Sequence, residues 1–461
     1  MQRSKLTLLA ALAGLAAATF ASGAATASPG AGAPAQAEAG SDPGYAPGEL
    51  LVRFRGGGER QLELPAGVGV PAAVKALSAN PDVAYATPDY LARAAAVPST
   101  ATSFIPNDRG TATVGGGWQA TQWNFLPCGS LCAPGTAPLA YQSRGGIDAP
   151  RAWATLRALG RPGAAGVKVA VLDTGIAYRN QKPKFVKSPD FSANQFIRGF
   201  DFVDKDKFPL DEDGHGTHVA GTIGEQTGNG KALTGLAYGA KLMPVRVLND
   251  IGEGKSSDIG QGLVYAAKHG ARVINMSFEF GPSVKSCKEV RSVCRGVRYA
   301  GRHGVTVIAA AGNDLDPVAA FPARIPGVIG VGASTEGGCL ANYSDYGLDV
   351  DLIAPGGQGE SATLCQSPDR PIFQLTFAGS DPHVFGLPAD YAGTSMSAAH
   401  VSGVAAMIIA SGELGAKPQP ARILCQLNGT ARREGLGETY DPARWGGGLL
   451  DAGRAVAGAV C

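Results

Sequence analysis

Six short apolar runs punctuate the middle and end of the chain: "VKVAVLD" (167–173), "LMPVRVL" (242–248), "VINMS" (273–277), "VTVIAAAGN" (305–313), "VIGVGAS" (328–334) and "VDLIAPG" (350–356). They are rich in Val and Ile and do not alternate apolar with polar positions, the pattern of parallel strands covered on both faces. Between several of them lie helical stretches, such as residues 256–269 and 295–303. Strand and helix in alternation predict an α/β fold of three layers, with helices on both sides of a central, mainly parallel sheet. A smaller unit precedes it. "GELLVRF" (48–54) predicts a strand, and "VPAAVKALSANPDVAYATPDY" (70–90) a helix, a turn and a second strand, together a small α+β module.

The first residues change the picture of where the chain works. Arg3 and Lys5 precede an apolar run over 6–20, and small residues follow, including "ATA" at 25–27. That order is a secretory signal peptide over residues 1–27, too short and Ala-rich to span a membrane stably. An Ala-, Gly- and Pro-rich stretch at 28–44 then reads as linker. No later stretch reads as a membrane span, so a secreted, extracellular protein without an anchor is expected.

Eight cysteines fit export, since an oxidising compartment favours disulfides. Their spacings suggest the pairs Cys128–Cys132, Cys287–Cys294, Cys339–Cys365 and Cys425–Cys461, although spacing argues only for the two local ones. With 17% charged residues and a net charge of +2, nothing points to nucleic acid or a polybasic membrane surface.

Candidate chemistry begins with "DTG" after the run ending at Asp173. An aspartic protease presents such a triplet twice, because two carboxylates share one proton; this chain has no second copy. A serine protease makes other demands. "DGHGTHVAGT" brings His215 42 residues after Asp173, and "GTSMSAAHVSG" brings Ser395 a further 180 residues on. In these three motifs and their acid, base, nucleophile order, the chain resembles the subtilisin-like serine proteases over about residues 104–461.

The resemblance implies a secreted serine endopeptidase acting through an acyl-enzyme. Ser395 is the nucleophile, activated by a base within hydrogen-bond reach. His215 is that base, and Asp173 fixes its tautomer and stabilises the imidazolium. "AAAGN" ends in Asn313, which resembles the family's oxyanion-hole asparagine. The family commonly has Pro where this chain has Ala399, a change the helix tolerates. His218 and His400, in the same motifs, read as buried helix residues, and "HGTH" lacks the glutamate and spacing of a zinc motif.

Substrate in this family adds as a strand between two backbone segments. The matching segments are Gly252, Glu253, Gly254 and Ser277, Phe278, Glu279. The primary pocket falls between the latter and Ala310, Ala311, Gly312 and Asn313, with uncharged Ala320 at its base, which favours an apolar or medium-sized side chain. Glu279 stands where the family usually has Gly. A carboxylate on the pocket rim favours basic side chains, but a solvated rim charge is worth little, so Glu279 is expected to modulate specificity with a weak basic preference rather than dictate it.

Structural calcium is the one cofactor implied; no organic cofactor is called for. Asp201, Asp204 and Asp206, with the carbonyls of Phe208 and Leu210, resemble the calcium loop of the thermitase branch. A second set, Asp108, Asp190 and Asn229, resembles family positions that converge in the fold. Residues 45–93 resemble the inhibitory propeptide of subtilisin-type enzymes, shortened in the middle. The expected organisation is signal (1–27), linker (28–44), propeptide with its linker (45–103) and subtilisin-like catalytic domain (104–461). The chain is expected to be a monomer that takes protein and peptide substrates and is first held by its own propeptide. Two competitors remain: a pseudoprotease that keeps the fold without the chemistry, and an enzyme that never sheds its N-terminus.

Overall fold

The computed structural model describes residues 45–57, 59–65, 67–90, 104–111, 115–132, 139–181, 183–359, 365 and 369–461. The signal and linker expectations over 1–44 lie outside them. The chain divides into two compact units, at Ala96 and Val97.

The first unit is a three-stranded antiparallel sheet, order β2-β1-β3, with one helix. β1 (Tyr45–Phe54) pairs with both β2 (Glu59–Glu63) and β3 (Val83–Tyr90), and α1 (Val70–Ser78) packs on the sheet. Leu50 and Val52 on β1 alternate inward and meet Ala73 and Leu77 of the helix, forming a small core of their own. β2 was not foreseen. "ERQLE" carries a single apolar residue, and its ladder to β1, not its composition, makes it a strand.

The second unit is the predicted α/β architecture. Seven strands run in the order β10-β9-β8-β7-β4-β6-β5, and every pairing is parallel. The six apolar runs are β4 (Lys168–Asp173), β6 (Lys241–Arg246), β7 (Val273–Met276), β8 (Thr306–Ala310), β9 (Val328–Ser334) and β10 (Leu352–Pro355). β5 (Phe200–Asp201), two residues long, is an edge that no pattern announces.

Helices cover both faces, with one apolar core on each side of the sheet. On one face lie α4 (Ser256–Lys268) and α5 (Arg291–Arg302); the second begins four residues before the expected start, because Val293, Cys294, Val297 and Ala300 make one buried stripe. On the other lie α2 (Ala149–Ala158), α3 (His215–Gly224) and α6 (Thr394–Ser411), with α7 (Pro420–Thr430) behind them. By length and composition α6 would cross a membrane, a match the sequence reading did not expect. It is instead the core helix, buried almost throughout. All four suggested disulfides are formed, Cys128–Cys132, Cys287–Cys294, Cys339–Cys365 and Cys425–Cys461.

Candidate active site

Because the sheet is parallel, the carboxyl ends of β8, β7, β4 and β6 fall side by side along one edge. In an open α/β sheet that edge is where ligands bind. From it emerge Asn313 after β8, Ser277 to Glu279 after β7, Asp173 at the end of β4, and the exposed Gly252, Glu253 and Gly254 beyond β6.

Asp173 is fully buried. Its Oδ1 accepts from the amide of Thr174 at 2.8 Å and from His215 Nδ1 at 2.7 Å. His215 opens α3, whose close approach to β4 depends on Gly216: a Cβ there would lie 2.1 Å from the carbonyl of Gly175. The Thr174 hydroxyl fastens the same junction, accepting from the amide of Gly216 at 2.9 Å and donating to Asp211 at 2.8 Å.

Asp211 is a residue the sequence reading missed. Buried in "DEDGHGTH", it accepts from the amides of Asp213, Gly214 and Thr217 and from the hydroxyls of Thr174 and Thr217. It thereby holds the turn that presents His215. An aspartate four residues before a histidine that opens a helix, with glycine between, was the available signal.

Burial pulls the His215 imidazole down, but the charge and hydrogen bond of Asp173, with Asp213 and Asp211 nearby, push it up to about 9. Its side chain stays 24% exposed, so the ring is reachable from the cleft. The other motif histidines are buried as expected. His218 donates Nε2–H to the Ile372 carbonyl at 2.9 Å, stacks on Tyr391 at 4.1 Å, and is pushed down to about 3 by burial. His400 donates Nδ1–H to Met396 O and accepts from Asn124 at Nε2, and burial lowers it to about 4.

Ser395 lies in the first turn of α6, which packs beside α3. Tyr391, just upstream, makes the stack on His218, and so joins the serine's segment to the histidine's helix. Ser395 Oγ donates to the carbonyl of Ser277 at 3.0 Å, and Ser277 Oγ returns a bond to the carbonyl of Ser395 at 2.7 Å. The single hydroxyl proton therefore faces Ser277 rather than His215 in the free protein. Catalytic hydrogen bonds of this kind often form only once substrate is seated.

Asn313 reaches the same place from β8. Its Oδ1 accepts from the amide and hydroxyl of Thr394 at 2.9 and 3.1 Å, which orients Nδ2 outward. That Nδ2 donates to Glu279 Oε1 at 3.3 Å. The predicted pocket walls are held by backbone bonds, from Phe280 N to Phe321 O at 2.7 Å and from Ala320 N to Ala311 O at 2.6 Å. Ala310, Ala311 and Gly312 are buried along one wall, and Phe278 is half-buried on the other.

The expected metal ligands separate into two cases. At the first loop the positive charge belongs to the chain: Arg246, at the end of β6, donates to Asp201 Oδ2 at 3.0 Å and Asp204 Oδ2 at 2.7 Å. Asp201 Oδ1 accepts from the amides of Val203 and Asp204, Asp206 from that of Phe208, and the Phe208 carbonyl from Leu210 N. Asp201, Asp204, Asp206, Phe208 and Leu210 do not stand as an open cation site, because Arg246 already neutralises Asp201 and Asp204 and backbone amides take Asp201 Oδ1 and Asp206. Arg246 lay hidden in an apolar strand, 36 residues past Leu210.

The second set does converge. Asp108 accepts from the amides of Gly228 and Asn229, and Asn229 Nδ2 donates to Asp190 at 2.6 Å. Asp190 Oδ2 and both oxygens of buried Glu225 have no hydrogen-bond partner. Burial, and then neighbouring carboxylate charge, raises Glu225 well above its usual range. Among the described residues no three His, Cys, Asp or Glu side chains are grouped to hold a metal.

A parallel sheet with an imidazole–carboxylate pair and a serine-bearing helix at its carboxyl edge defines a hydrolase of the serine type. The model of the subtilase family matches residues 164–425. The thermophilic serine proteinase of Bacillus sp. (strain AK1) is 33% identical over 74% of this chain and 67% of its own length. Thermitase of Thermoactinomyces vulgaris is 31% identical over 67% of this chain and 93% of its own. A solved protease of Pseudoalteromonas arctica superposes with a TM-score of 0.56 at 32% identity, covering 68% of this chain and 94% of that one. The chain belongs to the subtilase family and is a serine endopeptidase of the subtilisin type.

Proposed function

We propose that Asp173, His215 and Ser395 form the catalytic triad of a secreted endopeptidase, with Asn313 as oxyanion donor. The observation that carries it is the 2.7 Å bond between Asp173 and His215 Nδ1. It commits Nδ1–H to the carboxylate and leaves Nε2 as the base. In the reaction Ser395 Oγ turns from the Ser277 carbonyl to His215, gives up its proton, and attacks the substrate carbonyl. Asn313 Nδ2 and the Ser395 amide then hold the resulting oxyanion. His215 returns the proton to the leaving amine, and water releases the acyl group from Ser395 by the same steps.

Gly252, Glu253, Gly254 and Ser277, Phe278, Glu279 flank the substrate as added strands, a role supported by their place beyond the carboxyl ends of β6 and β7. A fluorophosphonate that labels the native protein but not Ser395→Ala tests the nucleophile; equal labelling of both sinks the assignment. The pH dependence follows from the base. Only neutral His215 accepts a proton, so kcat/KM on an uncharged peptide should climb with pH and be half-maximal near 9. A profile already flat at pH 7 contradicts this.

Secretion rests on the charge and apolar order of residues 1–27 and on four disulfides, which need an oxidising compartment. The unit over 45–90, with its own core, acts as propeptide and is cut away between 93 and 103. N-terminal sequencing of the secreted protein that begins upstream of 93 rules this out.

Of the two sets the second is the better supported for calcium, because Asp190 Oδ2 has no hydrogen-bond partner. Asp108 and Asp190, with Asn229 beside them, would hold it and offset the buried carboxylate charge around Glu225. When bound, the ion stabilises the folded state alone, by tying together segments distant in sequence. EDTA should then lower Tm by several degrees, and Asp190→Asn should remove that sensitivity. Identical melting curves with and without chelator argue against a bound ion.

A further inference from the structure

Glu279 is exposed, as expected of a rim charge, but it is not free there. Its segment, after β7, forms one wall of the predicted pocket, and its carboxylate crosses the gap to the other wall. Oε1 accepts from Asn313, while Oε2 lies over Gly312. Asp345 comes to the same point from behind. It is 2% exposed, and its Oδ1 is occupied by the amides of Asp314 and Asp316. A Cβ on Gly312 would sit 2.1 Å from Asp345 Oδ2 and 2.7 Å from Glu279 Oε2, so the two carboxylates crowd one position in the wall. Only glycine leaves room for them, and its φ of +119° suits that residue as well.

Two carboxylates this near each other repel unless a proton or a cation comes between them. Burial, in the first place, raises both above the ordinary carboxylate range, Asp345 to about 6. Among the described residues no Lys or Arg is ion-paired with either one. Arg324, near the pocket floor, is paired with Asp349. Glu279, unlike Asp345, is exposed, so a positive group on a substrate can reach it and relieve that repulsion.

We propose that Glu279, backed by Asp345, makes this protease select a basic side chain, Lys or Arg, at the residue whose carbonyl is cleaved. The inference rests on the triad and groove assigned above and supplies the substrate class they leave open. Exposed Glu279 receives the charged head, and buried Asp345 behind it adds negative charge to that position.

The test is a set of otherwise identical peptides carrying Lys, Arg, norleucine or Glu at that residue, with kcat/KM normalised by active-site titration. Lys and Arg should exceed norleucine, an uncharged chain of similar length, by about tenfold or more, and Glu should be poorest. Glu279→Gln should cut the ratio of Lys to norleucine several-fold, and Asp345→Asn should cut it less. If Glu279 serves only to hold Asn313, its substitution slows every peptide alike and leaves the ratio unchanged, which overturns the proposal. So does a native ratio near one. Failure to cleave any peptide, with no fluorophosphonate labelling, overturns the catalytic assignment itself and this inference with it.

Discussion

Ser395→Ala should lower peptide hydrolysis about 10⁶-fold, a magnitude carried over from subtilisin itself. The reason is local. Ser395 offers the one hydroxyl in the first turn of α6 that donates to the Ser277 carbonyl, and on the proposed mechanism no neighbour substitutes for it as nucleophile. The fold should survive, since the lost hydroxyl makes a single bond on the cleft surface. Near-native circular dichroism and Tm, with hydrolysis at background, is the expected pair of results. Residual turnover within a hundredfold of the native protein would mean that another group attacks.

Asn313→Ala should cost roughly 10²- to 10³-fold in kcat with little change in KM, again by the subtilisin precedent. The donor acts on charge that exists only in the transition state. Its orientation depends on Thr394, whose amide and hydroxyl both bond to Asn313 Oδ1. Thr394→Val, which keeps the amide and removes the hydroxyl, should therefore give a smaller loss of the same kind. A change confined to KM for either variant would place Asn313 in ground-state binding instead.

The Asp173–His215 pair links activity to stability in opposite senses. A histidine whose folded pKa stands above its unfolded value stabilises the protein fully below about 6.5, and that contribution disappears as pH rises through about 9. The protein thus becomes more active over the same interval in which this pair ceases to support the fold.

Most of the sheet could be read directly because buried parallel strands are written in uninterrupted Val and Ile. β4, β6, β7, β8, β9 and β10 all coincide with such runs. β2 and β5 could not, since each exists through pairing with a neighbour rather than through its own residues. The motifs of the proposed active site stood out in the sequence because Asp173, His215, Asn313 and Ser395 each sit at an element boundary marked by small residues. What stayed hidden were partners from distant sequence. Arg246 pairs with Asp201 and Asp204, where an ion was expected, and Asp345 stands beside exposed Glu279 across Gly312.

Arg246 has a practical consequence. Where a bound ion would come and go with the composition of the medium, the positive centre at Asp201 and Asp204 is covalently part of β6. Its local concentration is fixed at synthesis. This corner of the molecule should therefore keep its shape whatever the divalent-salt content of the medium.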